Sequence, residues 1–207
     1  MRIGIIGSGN IGATLTRRLT ALGHDVAVSN SRGPQSLEGL AGETGATAAE
    51  PATAARDADL VIVAIPLKAV PDLPAGELAG KLVVDTGNYY PGRDGEIADI
   101  EGGTASSRWV AGHLPGATVV KAFNTMGSGH LLELGRPAGD PDRIGLPVAG
   151  DDEVAKRRVL ELVETLGFDG LDAGPLDESW RQEPGTPVYG ADLGTAAARD
   201  ALAAAAR

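Results

Sequence analysis

The chain has no cysteine in 207 residues, which excludes disulfides, thiolate nucleophiles and cysteine-bound metals and fits a reducing compartment. Aromatic residues are scarce, 3% of the chain against a hydrophobic content of 43%, so Val, Ile, Leu and Ala are expected to fill the core. Cations are outnumbered: 18 Lys and Arg face 28 Asp and Glu, for a formal charge of −10. A nucleic-acid surface needs clustered Lys and Arg to neutralise phosphates, and an anionic membrane attracts the same residues. Neither partner is expected. No apolar run approaches the ~18 residues of a membrane span. Met1 leads at once into an apolar segment, with no basic stretch or cleavage site before it, so a cytoplasmic protein is expected.

The informative residues begin with Ile3-Gly4-Ile5-Ile6, a short apolar run. Gly7-Ser8-Gly9-Asn10-Ile11-Gly12 follows it, and Ile11, Leu15, Leu19 and Leu22 then recur at helical spacing until Gly23. Three glycines alone mean little in a chain with 30 of them. Strand, glycine turn and helix in that order are the context a dinucleotide fingerprint requires. Gly7 fits the tight turn, Gly9 lets the backbone approach a pyrophosphate, and Gly12 lets the helix pack closely on the strand. The anion would rest on free N–H groups at the positive end of the helix.

Asp25–Ser29 reads as a second strand. The continuous apolar run Leu60–Ile65 reads as a central strand buried on both faces, ended by Pro66. Further strands are expected at 81–85, 118–123 and 144–149, with a last short one at 168–172. Helices are expected around Leu37, Leu40 and Ala41, over Ala48–Ala58, and after Asp151, whose side chain is expected to cap a helix carrying Val159, Leu162 and Leu166. Residues 91–103, rich in Gly and Asp, read as a long surface loop. Strands alternating with helices imply an α/β fold, a Rossmann-type doubly wound parallel sheet. It is expected to occupy residues 1–175 as a single domain, with residues 176–207 as a C-terminal extension ending in an Ala-rich helix from about Thr195. Trp180, Pro184, Pro187, Val188 and Tyr189 suit a packed segment better than a disordered tail. That segment is read as part of the working site, as a homodimer contact, or as a strap over the sheet.

In such a sheet ligands lie outside the carboxyl ends of the strands. The segments Gly7–Gly12, Asn30–Arg32, Ile65–Leu67, Asp85–Tyr90 and Asn124–Gly127 therefore share one crevice. An NAD site places an acid about 20 residues past the glycines, but this chain has Asn30-Ser31-Arg32 there. A carboxylate would repel a 2′-phosphate, whereas a hydroxyl and a guanidinium donate to it. NADP(H) is the expected cofactor.

The opening strand-turn-helix, Ser31-Arg32, Ala64-Ile65-Pro66, the turn Pro147–Asp152 and the segment Leu171–Leu176 together resemble the NADP oxidoreductase, coenzyme F420-dependent family over roughly residues 1–178. Asp85-Thr86-Gly87-Asn88-Tyr89-Tyr90-Pro91 and Lys121–Thr125 look most like its bacterial branch of dinucleotide-binding reductases. The resemblance implies a hydride exchanged between NADPH and a deazaflavin stacked on the nicotinamide. It implies that Ser8, Gly9, Asn10 and Ile11 cradle the pyrophosphate, Ser31 and Arg32 the 2′-phosphate, and that Ile65 and Pro66 flank the nicotinamide. Residues 180–189 depart from the family's F420-closing segment, which leaves F420 and a flavin both open as second substrate. A non-catalytic NADP-binding sensor is the alternative.

Hydride transfer between stacked rings is mostly positioning, and no catalytic acid or base stands out. The weak catalytic candidates are Asn124 and His130, while His24 and His113 read as surface or packing residues. Lys121 is read as a snorkelling core-edge side chain, with catalysis the lesser alternative. Asn88 and Asn124 fit either the carboxamide of nicotinamide or the second substrate, and Tyr89 and Tyr90 either stack or seal a loop. The expected cofactor set is Gly7, Ser8, Gly9, Asn10, Ile11, Gly12, Ser31, Arg32, Ile65, Pro66, Thr86, Asn88 and Asn124, with no metal site. Reduction of an imine or a hydroxy acid would need a proton donor that the sequence does not identify.

Overall fold

A computed structural model describes residues 1–207. In chain order the elements are β1 Arg2–Ile6, α1 Asn10–Ala21, β2 Asp25–Ser29, α2 Glu38–Thr44, β3 Thr47–Ala48, α3 Pro51–Arg56, β4 Leu60–Val63, α4 Ala75–Leu78, β5 Leu82–Asp85, α5 Pro91–Asp94, α6 Ala98–Glu101, α7 Ser106–His113, β6 Thr118–Lys121, α8 Ser128–Glu133, β7 Gly145–Gly150, α9 Glu153–Thr165, β8 Asp169–Asp172 and α10 Thr195–Ala204. The strands form one eight-stranded sheet in the order β3-β2-β1-β4-β5-β6-β7-β8. The order reverses at β1, which is where a doubly wound sheet opens its crevice.

Strand residues alternate between two aliphatic cores. Ile3, Ile5, Leu60, Ile62, Val84 and Val120 meet Leu15, Leu19, Val159 and Leu162 on one face. Ile6, Val61, Val63, Val83 and Val119 meet Ala55, Leu78, Val110 and Leu114 on the other. Burial on both faces is why these strands read as unbroken apolar runs. No helix is long and apolar enough to cross a membrane.

The expected all-parallel sheet is corrected at β7, which runs antiparallel to β6 through Val120↔Gly150 and Lys121↔Ala149. A parallel neighbour needs a crossover that carries the chain back to the far end of the sheet. Between β6 and β7 the only helix is α8, whose six residues rise about 9 Å. The chain therefore enters β7 from the crevice side. Residues 145–148 stand beyond the end of β6 and pair in parallel with β8.

Other expectations shift locally. Ala48 belongs to the edge strand β3, and the helix starts only at Pro51, where proline suits the first helical turn. Residues 91–103 hold two single-turn helices, α5 and α6, not a continuous loop. β6 stops at Lys121 because Phe123 takes a left-handed φ of 62°. The cap of α9 is Asp152, which accepts from the Ala155 N–H at 2.8 Å. Asp151, expected in that role, instead accepts from Leu176 N–H at 2.9 Å and from Arg108 at 2.7 Å. Those bonds tie the stretch after β8 to α7.

Residues 176–207 lie on the rest of the chain as a strap. A 3-10 segment, Leu176–Gln182, buries Leu176, Ser179 and Gln182. Ala198 and Leu202 of α10 close over Leu171 together with Val188.

Candidate active site

Two adjoining cavities run along the carboxyl ends of the strands, and Gly9, Ala64, Ile65 and Pro66 wall both. One, of about 440 Å³, opens between the glycine turn and Asn30, Ser31 and Arg32. The other, of about 530 Å³, continues past Thr86, Asn88 and Tyr90 to Phe123, Asn124 and Tyr189.

The glycines of the turn divide into two kinds. A Cβ on Gly12 would lie 1.8 Å from the Gly7 carbonyl oxygen, and one on Gly7 would lie 2.2 Å from that of Ala64, at a φ of +113°. Both positions are fixed by packing. A Cβ on Gly9 would meet no protein atom within 4 Å, because it would stand in the open cleft. Gly9 is also the N-cap of α1, with no side-chain cap and no acid in the first turn. The unpaired N–H groups there face the cleft with the positive end of the helix dipole. These features fit a pyrophosphate.

Asn30 braces the turn from the β2 side. Its Nδ2 donates to Ser8 Oγ at 2.9 Å, and its Oδ1 accepts from the Arg32 N–H at 2.8 Å. Ser31 and Arg32 are exposed at the mouth. The Arg32 guanidinium makes neither an ion pair nor a side-chain hydrogen bond, whereas Arg17, nearby in sequence to the turn, is held by Glu43 at 2.6 Å. A free guanidinium at this corner fits a 2′-phosphate.

The far cavity is walled by committed polar groups. Asn124, 4% exposed, donates to Asn88 Oδ1 at 2.9 Å and to the Gln182 carbonyl at 2.6 Å, and accepts from Gln182 Nε2 at 2.8 Å. Its amide protons are spent, one on Asn88 and one on the strap, so Asn124 shapes the wall. Asn88 also donates to the Asn124 carbonyl at 2.9 Å. Thr86 donates to the Val63 carbonyl at 3.1 Å. Arg93 lines the cavity with its charge neutralised by Asp94 at 2.8 Å.

Lys121 is not the snorkelling side chain expected. It is fully buried, and its amino group donates to the Gly87 carbonyl at 2.9 Å and to the hydroxyls of Ser106 and Ser107 at 3.1 and 3.0 Å. Ser107 passes the polarity to Asp85 at 2.6 Å and Ser106 to Glu183 at 2.6 Å. All three ammonium protons are used within the fold, leaving none for catalysis. This hub ties β5, β6, α7 and the strap beneath the cleft. His130 lies outside both cavities and pairs with Asp192 of the strap. His113 bonds the Trp109 carbonyl at 2.9 Å, and the pKa of His24 is lowered by burial and, less, by the neighbouring amino terminus.

The two tyrosines separate. Tyr89 seals the α5–α6 segment, donating to Glu101 at 2.7 Å. Tyr90 faces the cavity, and its hydroxyl bonds that of Tyr189 from the strap. Burial, reinforced by that bond, pushes the Tyr189 phenol up to about 12. Sequence reasoning missed Arg93 and Phe123 in this wall, and placed Met126 there only as part of the segment Asn124–Gly127. For Tyr189 the signal was only a cluster of aromatics and prolines in an aromatic-poor chain.

This architecture and cleft define a Rossmann-type α/β protein of the nucleotide-binding class. Residues 2–89 match the family described as NADP oxidoreductase coenzyme F420-dependent. A protein of Sinorhizobium meliloti, SMa0349, of known structure but no assigned function, is 34% identical, with a TM-score of 0.80 over 94% of this chain and 96% of that one. A structure from Arthrobacter sp. FB24, described as a candidate F420-dependent NADP reductase, is 28% identical, with a TM-score of 0.72 over 85% and 86% of the two chains. The rat metalloreductase STEAP3 is 30% identical over 84% of this chain, which spans 34% of that protein's length. The chain belongs to the NADP oxidoreductase, coenzyme F420-dependent family.

Proposed function

We propose that the protein is an NADPH-dependent oxidoreductase that transfers a hydride between NADP(H) and coenzyme F420 or a flavin. The observation that carries this reading is the pair of joined cavities, with an unpaired Arg32 at one end and a tyrosine-lined chamber at the other. The first-turn N–H groups of α1 would hold the pyrophosphate, Ser31 and Arg32 the 2′-phosphate, and Ile65 and Pro66 would flank the nicotinamide. NADPH, once bound, supplies the hydride. The protein's share is then to hold two rings at reacting distance and keep water out, which is where most of the acceleration of such a transfer arises. A wall of Ile65, Pro66, Phe123, Met126 and Tyr90 suits a flat conjugated acceptor.

The test is to mix purified protein with NADPH and, separately, F420, FMN and FAD, following the absorbance of reduced nicotinamide. Oxidation with one of them supports the reading. Tight NADPH binding with no oxidation by any would favour a non-catalytic NADP sensor.

A further inference from the structure

Accepting a hydride adds an electron pair to the acceptor. In a flavin, a deazaflavin or a simple carbonyl, the negative charge then appears on an oxygen or nitrogen conjugated to the carbon or nitrogen that received the hydride. A site that accelerates the step offers a fixed donor at that heteroatom. Several side chains border the far cavity. Asn124 has spent both amide protons, Thr86 donates to Val63, and Lys121 lies behind the wall with all its protons used. Asn10 and Ser128 stand at the end beside the glycine turn, and Arg93 is engaged through Nε and Nη2 by Asp94 and the Asn88 carbonyl. At the end away from the glycine turn the hydroxyls are those of Tyr90 and Tyr189. Their hydroxyls bond each other, which consumes one O–H and leaves the second for a ligand.

We propose that the Tyr90–Tyr189 hydroxyl pair is the hydrogen-bond donor that stabilises the charge developing on the hydride acceptor's oxygen or nitrogen. This rests on the reading of the protein as a hydride-transferring enzyme. Within the pair one phenol polarises the other, so the free O–H is a stronger donor than a lone tyrosine. Tyr189 stays protonated through the physiological range, its phenol pushed by burial up to about 12. It therefore donates a hydrogen bond without giving up its proton. Both electrons come from NADPH, the acceptor keeps them, and water protonates the reduced ring after it leaves. Tyr90 belongs to the turn after β5 and Tyr189 to the strap, so the donor exists only while residues 183–190 are docked. Three contacts hold them there: Glu183 accepts from the Ser106 N–H and hydroxyl at 2.7 and 2.6 Å, the Gly190 N–H donates to the Thr125 carbonyl at 2.8 Å, and Val188 is buried.

The experiment uses the full chain and the variants Tyr189→Phe, Tyr90→Phe and the double variant. The acceptor is whichever of F420 and FMN the wild type reduces. Each single variant is expected to keep the wild-type melting temperature and NADPH affinity while kcat falls about 100-fold, the low end for loss of one charge-stabilising donor. The double variant is expected to lose little more than the worse single one, because the two hydroxyls act as a unit. Two readouts are independent of turnover. Anaerobic titration should show the variants binding the reduced acceptor more weakly by a similar factor, with the oxidised acceptor unaffected. Alkaline titration of the three tyrosines should show the late-ionising phenol moving down in Tyr90→Phe. Unchanged kcat with an unchanged preference between oxidised and reduced acceptor would overturn the assignment while leaving the hydride-transfer reading intact. A wild type that binds NADPH but reduces no acceptor would refute that reading first and the donor assignment with it.

Discussion

Gly9 and Gly12 sit three residues apart in the same turn, yet substitutions there should fail in opposite ways. Gly9→Val places a side chain in space that no protein atom occupies within 4 Å of the Cβ. The backbone there, φ −69° and ψ −169°, is extended and open to any residue. Folding should therefore change by no more than about 1 kcal/mol, the difference between glycine and a poor N-cap. The side chain would fill the space proposed for the pyrophosphate. If it displaces the anion from two backbone N–H donors, each charge-assisted bond being worth about 1.5–3 kcal/mol, the loss is about 3–6 kcal/mol, or 10²- to 10⁴-fold in affinity. Gly12→Ala instead drives a methyl to 1.8 Å from the Gly7 carbonyl oxygen. Overpacking of that kind costs about 1–3 kcal/mol or more, which for a chain this size lowers the melting temperature by about 2–12 °C. Calorimetric titration of NADPH and thermal melts on both variants check the pair. Wild-type affinity in a folded Gly9→Val protein would put the phosphate site elsewhere, and an unshifted melt for Gly12→Ala would mean the turn relaxes more easily than its packing implies.

Arg32→Ala should weaken NADPH by about 10- to 150-fold, the equivalent of one charge-assisted contact of about 1.5–3 kcal/mol, and leave NADH nearly unchanged. Equal losses in titrations of the two cofactors would rule out the 2′-phosphate role. Lys121→Met removes the buried ammonium that serves the Gly87 carbonyl, Ser106 and Ser107. Stripping a buried charge from its partners costs about 3–5 kcal/mol, so the melting temperature should drop by about 6–20 °C, and a melt within error of wild type would show the hub to be dispensable. Burial works to raise the Asp151 carboxyl, but the Leu176 N–H and Arg108 outweigh it and hold the group below its ordinary 3.8. A depressed carboxyl contributes stability that is full above its unfolded pKa and is lost as pH falls through the folded one. Asp151→Asn, whose side chain is half exposed, should thus cost under about 1 kcal/mol at neutral pH and lose less stability than wild type on acidification below 3.8. Urea melts at the two pH values compare the slopes.

Strands β1, β2, β4, β5 and β6 were legible because their causes are local. Ile3–Ile6, Leu60–Val63 and Leu82–Val84 are apolar runs buried on both faces, each followed within three residues by glycine or proline. The glycine turn carried its own context as well. What the sequence did not reveal depends on partners distant in the chain. The reversal of β7 follows from a short α8 and an unpaired stretch after it, and no periodicity records which way a strand enters a sheet. The capping role moved by one residue, from Asp151 to Asp152, because both are acids and only the fold decides which one faces the α9 backbone and which the strap.

The site divides along the same line. Residues that could contact the nucleotide lie on β1, β2 and β4 exits, where a doubly wound sheet must put them, so spacing alone brings Gly7–Gly12, Ser31-Arg32 and Ile65-Pro66 to one cleft. The far cavity is instead assembled from partners well apart in the chain: Asn88 with Asn124, Asn124 with Gln182, Tyr90 with Tyr189. Each partner there is an unremarkable polar residue until the strap docks. Spacing therefore makes the nucleotide end of the cleft far more legible than the far end. If the far cavity takes the acceptor as proposed, its identity turns on residues 176–190, which supply both the Gln182 carbonyl and amide that hold Asn124 and the Tyr189 hydroxyl that meets Tyr90.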